Sequence, residues 1–263
     1  MNKKELAILT GLTLIMAFME LSGLPALLIF HIQPADVDPY ILPLMMNFLL
    51  IGAIAFLVLR FLCPGWKVGF TAKGLSSGMK KYSLPGILAG LLSCLAFCIG
   101  LWPFNNQPTV WKILLEGILY YFGVGIIEEL YVRGLLLNIV EKLAGKRKNR
   151  TAIAILVSSL VFGLGHIPGM IGLSPFVVFF KVLSIIGMGL YFGTIYKKTG
   201  NLWIPVILHI FIDLCALPYC FTTFSGYKTA SLIGLVVIYA GLGIYSLVLM
   251  REKVVSDPNG VRS

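Results

Sequence analysis

The chain has 263 residues, 58% hydrophobic and 12% charged, with a formal net charge of +10. Soluble domains carry about 25% charged residues, and a mean hydropathy of +0.93 has no soluble explanation, so the composition predicts a polytopic integral membrane protein. The basic excess lies between the apolar runs, where topology and anionic lipid account for it, and no basic patch interleaved with aromatics suggests nucleic acid.

A membrane span needs roughly 20 apolar residues. Taken in chain order, such runs lie near 5–31, 41–62, 84–104, 111–142, 152–168, 173–196, 200–222 and 229–250. The first is too long, and too much like the later ones, for a cleaved signal peptide. The linker 63–83 mixes Trp66, Phe70, Leu75 and Met79 with Lys67, Lys73, Lys80 and Lys81, which suits a segment lying at the membrane interface. The fourth run exceeds what a bilayer requires, so it should tilt or protrude. The short gap at 169–172 leaves the count between eight spans and seven with a re-entrant piece. No internal repeat and no soluble insert is visible. The expected fold is all-α, a transmembrane helical bundle of about eight spans forming one integral membrane domain over 1–263. The five cysteines (Cys63, Cys94, Cys98, Cys215 and Cys220) include no Cys-x-x-Cys pair and read as small buried hydrophobes.

Lys and Arg set the orientation. With the N-terminus inside, only Lys112 and Lys228 fall at outer ends, and Arg133 and Lys181 fall within spans; the others lie on the inner side. That asymmetry places both termini in the cytosol. Size and the lysine-rich N-terminus suit a bacterial plasma membrane.

Ionisable groups inside a span cost about 2.5–3.5 kcal/mol each on insertion scales, yet the fourth span contains Glu128, Glu129 and Arg133. On a helix Glu129 and Arg133 form an i,i+4 pair on one face. Glu128 points about 100° away, so it is available for chemistry while Glu129 is neutralised. The fifth span contains Phe162-Gly-Leu-Gly-His166, whose ring residues share a face and whose glycines admit a neighbouring helix. The seventh contains His209 and Asp213, again at i,i+4. Helix rise alone puts Glu128 about 21 Å before Lys142, His166 about 24 Å after Arg150 and His209 about 16 Å after Lys198. Three helices thus bring the three residues to similar depth.

A carboxylate with two imidazoles is an apparatus for activating water. The carboxylate takes a proton, while the imidazoles position the water, ligate a metal or stabilise an oxyanion. Glu128, His166, His209 and Asp213 are also a set that zinc would accept; no organic cofactor is indicated. Glu20, Glu116 and Lys181 are further intramembrane charges without motif company, for which mutual pairing or snorkelling to the interface is expected.

The three pieces, in this order, resemble the CAAX protease and bacteriocin-processing (Abi) family of intramembrane proteases, whose pattern is Glu-Glu-x-x-x-Arg, Phe-x-x-x-His and His-x-x-x-Asn or Asp. The likeness spans about residues 110–220, and the first three spans carry no diagnostic residue. The resemblance implies an intramembrane endopeptidase, a metalloendopeptidase or a glutamic one, with a cavity opening to the cytosol. It implies Glu128 as catalytic glutamate, His166 as helper in holding the water, and His209 with Asp213 as the oxyanion-stabilising pair. Glu129, Arg133 and Phe162 would support the site. The substrate would be a membrane-associated protein or peptide, of prenylated CAAX type or bacteriocin type. Asp213 departs from the Asn of the CAAX-cleaving branch. An ionised Asp cannot donate a hydrogen bond, so it must be protonated, orient His209 or bind metal.

A second function class fits the same composition: a non-enzymatic transporter, or a self-immunity or scaffold protein of the same fold. Buried carboxylates and histidines also build proton relays. No repeat relates the two halves, which argues against transport.

Overall fold

A chain that crosses a bilayer must satisfy its peptide groups within itself, and the described residues do so with helices. The computed structural model describes residues 68–251, apart from 108 and 225–227, together with scattered helical positions between 3 and 61. Among the described residues seven α-helices follow in order from residue 75: α1 (Leu75–Leu101), α2 (Val110–Glu129), α3 (Asn138–Leu143), α4 (Arg150–Gly165), α5 (Pro175–Thr199), α6 (Trp203–Leu214) and α7 (Thr229–Arg251). A π-helical stretch, Leu130–Leu137, joins α2 to α3, so Val110–Leu143 is one continuous element.

Among the described residues six stretches are long and apolar enough to span a membrane: Leu75–Leu101, Val110–Leu143, Arg150–Met170, Pro175–Thr199, Trp203–Phe221 and Thr229–Arg251. They coincide with the third to eighth expected runs, and the protein is an integral membrane protein. The runs at 5–31 and 41–62 lie outside the described residues except for scattered positions, and Glu20, Trp66 and Lys67 lie wholly outside them. The gap at 169–172 is a turn between two separate helices. Gly172 takes a positive φ of 95°, Ser174 caps α5 by accepting from the Val177 N–H at 3.4 Å, and Pro175 opens it. Ser at the N-cap followed by Pro satisfies the helix-start rules.

The interfacial reading of 63–83 needs correction in its second half. Leu75 and Met79 belong to the first turns of α1, and both pack on the core. Phe70, before α1, meets Trp203 edge-to-face at 5.0 Å, which ties this stretch to the start of α6. Pro85 inside α1 is accommodated by a neighbour. The Tyr191 hydroxyl accepts from the Gly86 N–H at 3.2 Å and donates to the Tyr82 carbonyl, standing between the two ends of an i,i+4 backbone pair.

Helix α5 packs between α4 and α7. Its glycines set the spacing: a Cβ at Gly187 would lie 2.2 Å from the Tyr239 carbonyl oxygen, and one at Gly189 would lie 3.1 Å from the Ser159 Cβ. Close backbone approach of this kind drives helix association in lipid. At Gly187 the opposing atom is backbone and cannot rotate away. Gly187→Ala should therefore lower stability by about 1–3 kcal/mol, the range for overpacking; the loss would be read as a fall in Tm of the detergent-purified protein. An unchanged Tm would mean that α5 and α7 are not in this register.

Candidate active site

Four elements build the site: the end of α2 with the π stretch, α4, α5 and α6. Arg133 is the largest fully buried side chain among the described residues. Its Nη1 donates to Glu129 Oε1 at 2.9 Å, the i,i+4 pair expected from spacing, with both side chains fully buried. Its Nη2 donates to the Gly189 carbonyl on α5 at 3.3 Å. The Phe162 ring lies 4.5 Å from the guanidinium carbon and the Phe192 ring 5.5 Å, so two aromatic faces complete a cation–π sandwich.

The π stretch begins directly after Glu129. Widening the turn frees backbone carbonyls from their usual partners. Asn138 takes up two of them, donating from Nδ2 to the carbonyls of Arg133 at 3.1 Å and Gly134 at 2.9 Å. Nothing in the apolar pattern announces the π turn; Asn138, a polar residue within the run, is the one trace of it in sequence.

His209 on α6 is held from three sides. Its Nδ1 lies 2.9 Å from Glu129 Oε1, and the carboxylate accepts, so Nδ1 carries a proton. Its Nε2 lies 3.5 Å from both Glu128 Oε2 and Asp213 Oδ2. Glu129 Oε1 therefore accepts from both Arg133 and His209. Helical spacing assigns Glu129 only to Arg133. Its second bond fixes the tautomer and orientation of His209, a role invisible in i,i+4 spacing because His209 is on another helix.

His166 closes α4. Its Nδ1 donates to the Phe162 carbonyl at 2.7 Å, since a carbonyl can only accept, and this leaves Nε2 for any further partner. The Phe162 ring stands edge-on to His166 at 4.9 Å and to His209 at 5.9 Å, so it is wedged between the two imidazoles. The expected shared face of Phe162 and His166 is thus present. Phe192 covers the other side of His209 at 5.3 Å; no signal in the sequence marks it.

Access is graded. The Glu128 side chain is 7% exposed and that of Asp213 is 22%, and His166 is half-buried. Asp213 and Lys181 line one cavity of about 70 Å³, otherwise bounded mainly by apolar side chains of α5, α6 and α7. Lys181 thus lies on the same cavity as Asp213. Among the described residues, three acids (Glu128, Glu129 and Asp213) and two bases (Arg133 and Lys181) lie in this region. Glu116 pairs with Lys112 at 3.8 Å, on the same helix and apart from this cluster. Among the described residues no group of three or more His, Cys, Asp or Glu side chains is arranged to hold a metal ion.

Carboxylates and imidazoles thus converge from separate helices of the bundle, the kind of buried ionisable cluster that marks a candidate functional site. Residues 109–215, which contain all three motifs, match the family model described as Type II CAAX prenyl endopeptidase Rce1-like, a protease family. The resemblance read from the motifs is thereby borne out over this segment. No curated protein and no solved structure matches the chain.

Proposed function

We propose that the protein is an intramembrane endopeptidase that hydrolyses a peptide bond of a membrane-associated substrate with a water activated by Glu128. The observation that carries this reading is the placement of His209 Nε2 between Glu128 Oε2 and Asp213 Oδ2, each at 3.5 Å, while Glu129 and Arg133 hold the ring from behind. The family match supports the substrate class, a membrane-associated protein or peptide of CAAX type.

In the proposed sequence, water enters from the more exposed side, where Asp213 and His166 lie. Glu128 removes a proton from it, with His166 Nε2 accepting the second hydrogen to orient the attack. The water oxygen bonds to the scissile carbonyl carbon, and the carbonyl oxygen becomes an oxyanion. When Nε2 of His209 carries a proton it donates to that oxyanion, as does Asp213 in its protonated form. Collapse breaks the C–N bond, and Glu128 returns its proton to the leaving amine. Glu129 and Arg133 act through His209 and touch no reacting atom. The cytosolic opening of the cavity, and the cytosolic placement of the termini, rest on the lysine and arginine asymmetry.

The direct test is incubation of the purified protein with membrane-anchored peptides, prenylated CAAX-type and bacteriocin-type, with cleavage products identified by mass. Absence of cleavage across both types, together with electrogenic flux in reconstituted vesicles, would favour the transporter reading.

Zinc remains the alternative source of water activation, and Asp213 separates the two. With Asp213 as a protonated donor, Asp213→Asn replaces its O–H with an N–H that can donate to the same oxyanion. It should lose less than the ~100-fold that deleting an oxyanion donor causes, while Asp213→Ala should lose at least that much. The assay is run beside elemental analysis, before and after chelation. Stoichiometric metal that disappears together with activity in Asp213→Asn would replace the glutamate mechanism with a metalloprotease one.

A further inference from the structure

The π stretch Leu130–Leu137 separates two helices whose rotations are set by different neighbours. On its N-terminal side α2 is seated on α6. A Cβ at Gly125 would lie 2.6 Å from Ile210 Cγ1 and 3.4 Å from the Val206 carbonyl oxygen, so this glycine faces α6 at contact. On its C-terminal side α3 is held by α5 and α4, because Glu141 pairs with Lys197 at 2.6 Å and accepts from the Thr151 hydroxyl. A π turn closes i→i+5 in place of i→i+4, and so takes up one more residue than an α turn. Relaxing it to α would rotate Glu128 and Glu129 by about 100° against α3, the rotation of one residue.

Asn138 closes the π turn. Its backbone N–H donates to the Leu135 carbonyl, and its Nδ2 donates to the carbonyls of Arg133 at 3.1 Å and Gly134 at 2.9 Å. Three successive carbonyls therefore end on one residue. Carbonyls only accept, so Nδ2 must face them, and Oδ1 is turned toward Lys197 Nζ, 3.5 Å away. The Tyr196 hydroxyl stands 3.2 Å from Nδ2, which ties Asn138 to α5 as well as to the turn. Asparagine is a poor helix former. An apolar helix former would suit position 138 better on local grounds, and the carbonyls are what the carboxamide serves.

We propose that Asn138 is a positioning residue for the hydrolysis: by closing the π turn it fixes the register at which Glu129 holds His209 Nδ1 and Glu128 faces Nε2. It touches no reacting atom. It acts through Glu129, 2.9 Å from Nδ1, and Glu128, 3.5 Å from Nε2. This role presupposes Glu128 and His209 as the hydrolytic pair.

The experiment follows the full chain, 15N-labelled at its three histidines, by NMR in detergent, beside kcat and KM for a cleaved membrane-anchored peptide. The His209 resonance is assigned by its absence in His209→Asn. In the wild type the Nδ1 proton, held by Glu129, should be visible and slow to exchange. Asn138→Leu raises helix propensity but removes both side-chain donors. It should lose that signal and lower kcat by about 10²-fold, the effect of a small misplacement, with KM unchanged. Asn138→Ser keeps one donor, because a helical serine hydroxyl reaches the carbonyl four residues back, here that of Gly134. It should keep the signal and lose less turnover than Asn138→Leu does, whereas helix propensity alone orders the two variants the other way. Asn138→Ala removes the amide without added bulk and takes the place of the leucine variant if that one fails to accumulate. An unchanged Nδ1 signal in the leucine and alanine variants would overturn the positioning role, whatever happens to turnover. Wild-type turnover in both would overturn it as well. Wild-type protein that cleaves neither CAAX-type nor bacteriocin-type peptides would instead remove the hydrolytic reading, while the histidine signal would still show whether Asn138 sets the register.

Discussion

Glu128→Gln is expected to lower kcat by roughly 10²–10⁴-fold, the usual contribution of a positioned general base, while membrane accumulation and Tm stay close to wild type. The amide preserves volume and keeps a polar group facing His209 Nε2, but it cannot take a proton from water. Little of the fold depends on the charge of Glu128. The buried guanidinium is neutralised by Glu129 at 2.9 Å, and the Nδ1 side of His209 is held by the same carboxylate. The measurement pairs cleavage of a membrane-anchored peptide with thermal unfolding in detergent. Wild-type turnover in the variant would remove Glu128 as the base. A collapse in Tm with it would mean that Glu128, not Glu129, is the structural carboxylate.

Much of this arrangement is legible in the sequence, for physical reasons that differ between elements. The spans from 84 onward follow from length and hydropathy, because a bilayer leaves the backbone no alternative to helix. The pairing of Glu129 with Arg133, and of Phe162 with His166, follows from helical period alone. Equal depth brings Glu128 and His209 together because both are measured from flanking lysines along rigid helices. Contacts between helices are not legible in the same way. Nothing in spacing says that Glu129 reaches across to His209, that Phe192 covers the imidazole, or that Lys181 joins Asp213 on one cavity. Those depend on rotation of α5 and α6 about their axes. The long helix α5 is buried along much of its length, so its polar and apolar positions do not reveal which face meets α4 and which meets α7. The π turn after Glu129 is invisible for a related reason. It changes register without changing composition.

Glu129→Gln should be the most damaging single change to the fold among the site residues. Glu129 and Arg133 are both fully buried, and removing one partner of such a pair leaves the other charge uncompensated, a loss of about 3–5 kcal/mol in soluble proteins. The expected result is poor membrane accumulation and a much lower Tm than for Glu128→Gln. A second variant separates stability from chemistry. Glu129→Leu combined with Arg133→Met removes both charges together, and apolar replacement of a buried pair is often neutral or stabilising. Phe162 and Phe192, which sandwich the guanidinium, would pack equally against the Met side chain. Stability should therefore recover in the double variant. Activity should not, because His209 Nδ1 would have lost the carboxylate that fixes its orientation, and Nε2 would no longer be held between Glu128 and Asp213. A double variant that regains both stability and turnover would show that the ion pair serves the fold alone. One that regains neither would show that Arg133 is needed for its bond to the Gly189 carbonyl, the link between the end of α2 and α5.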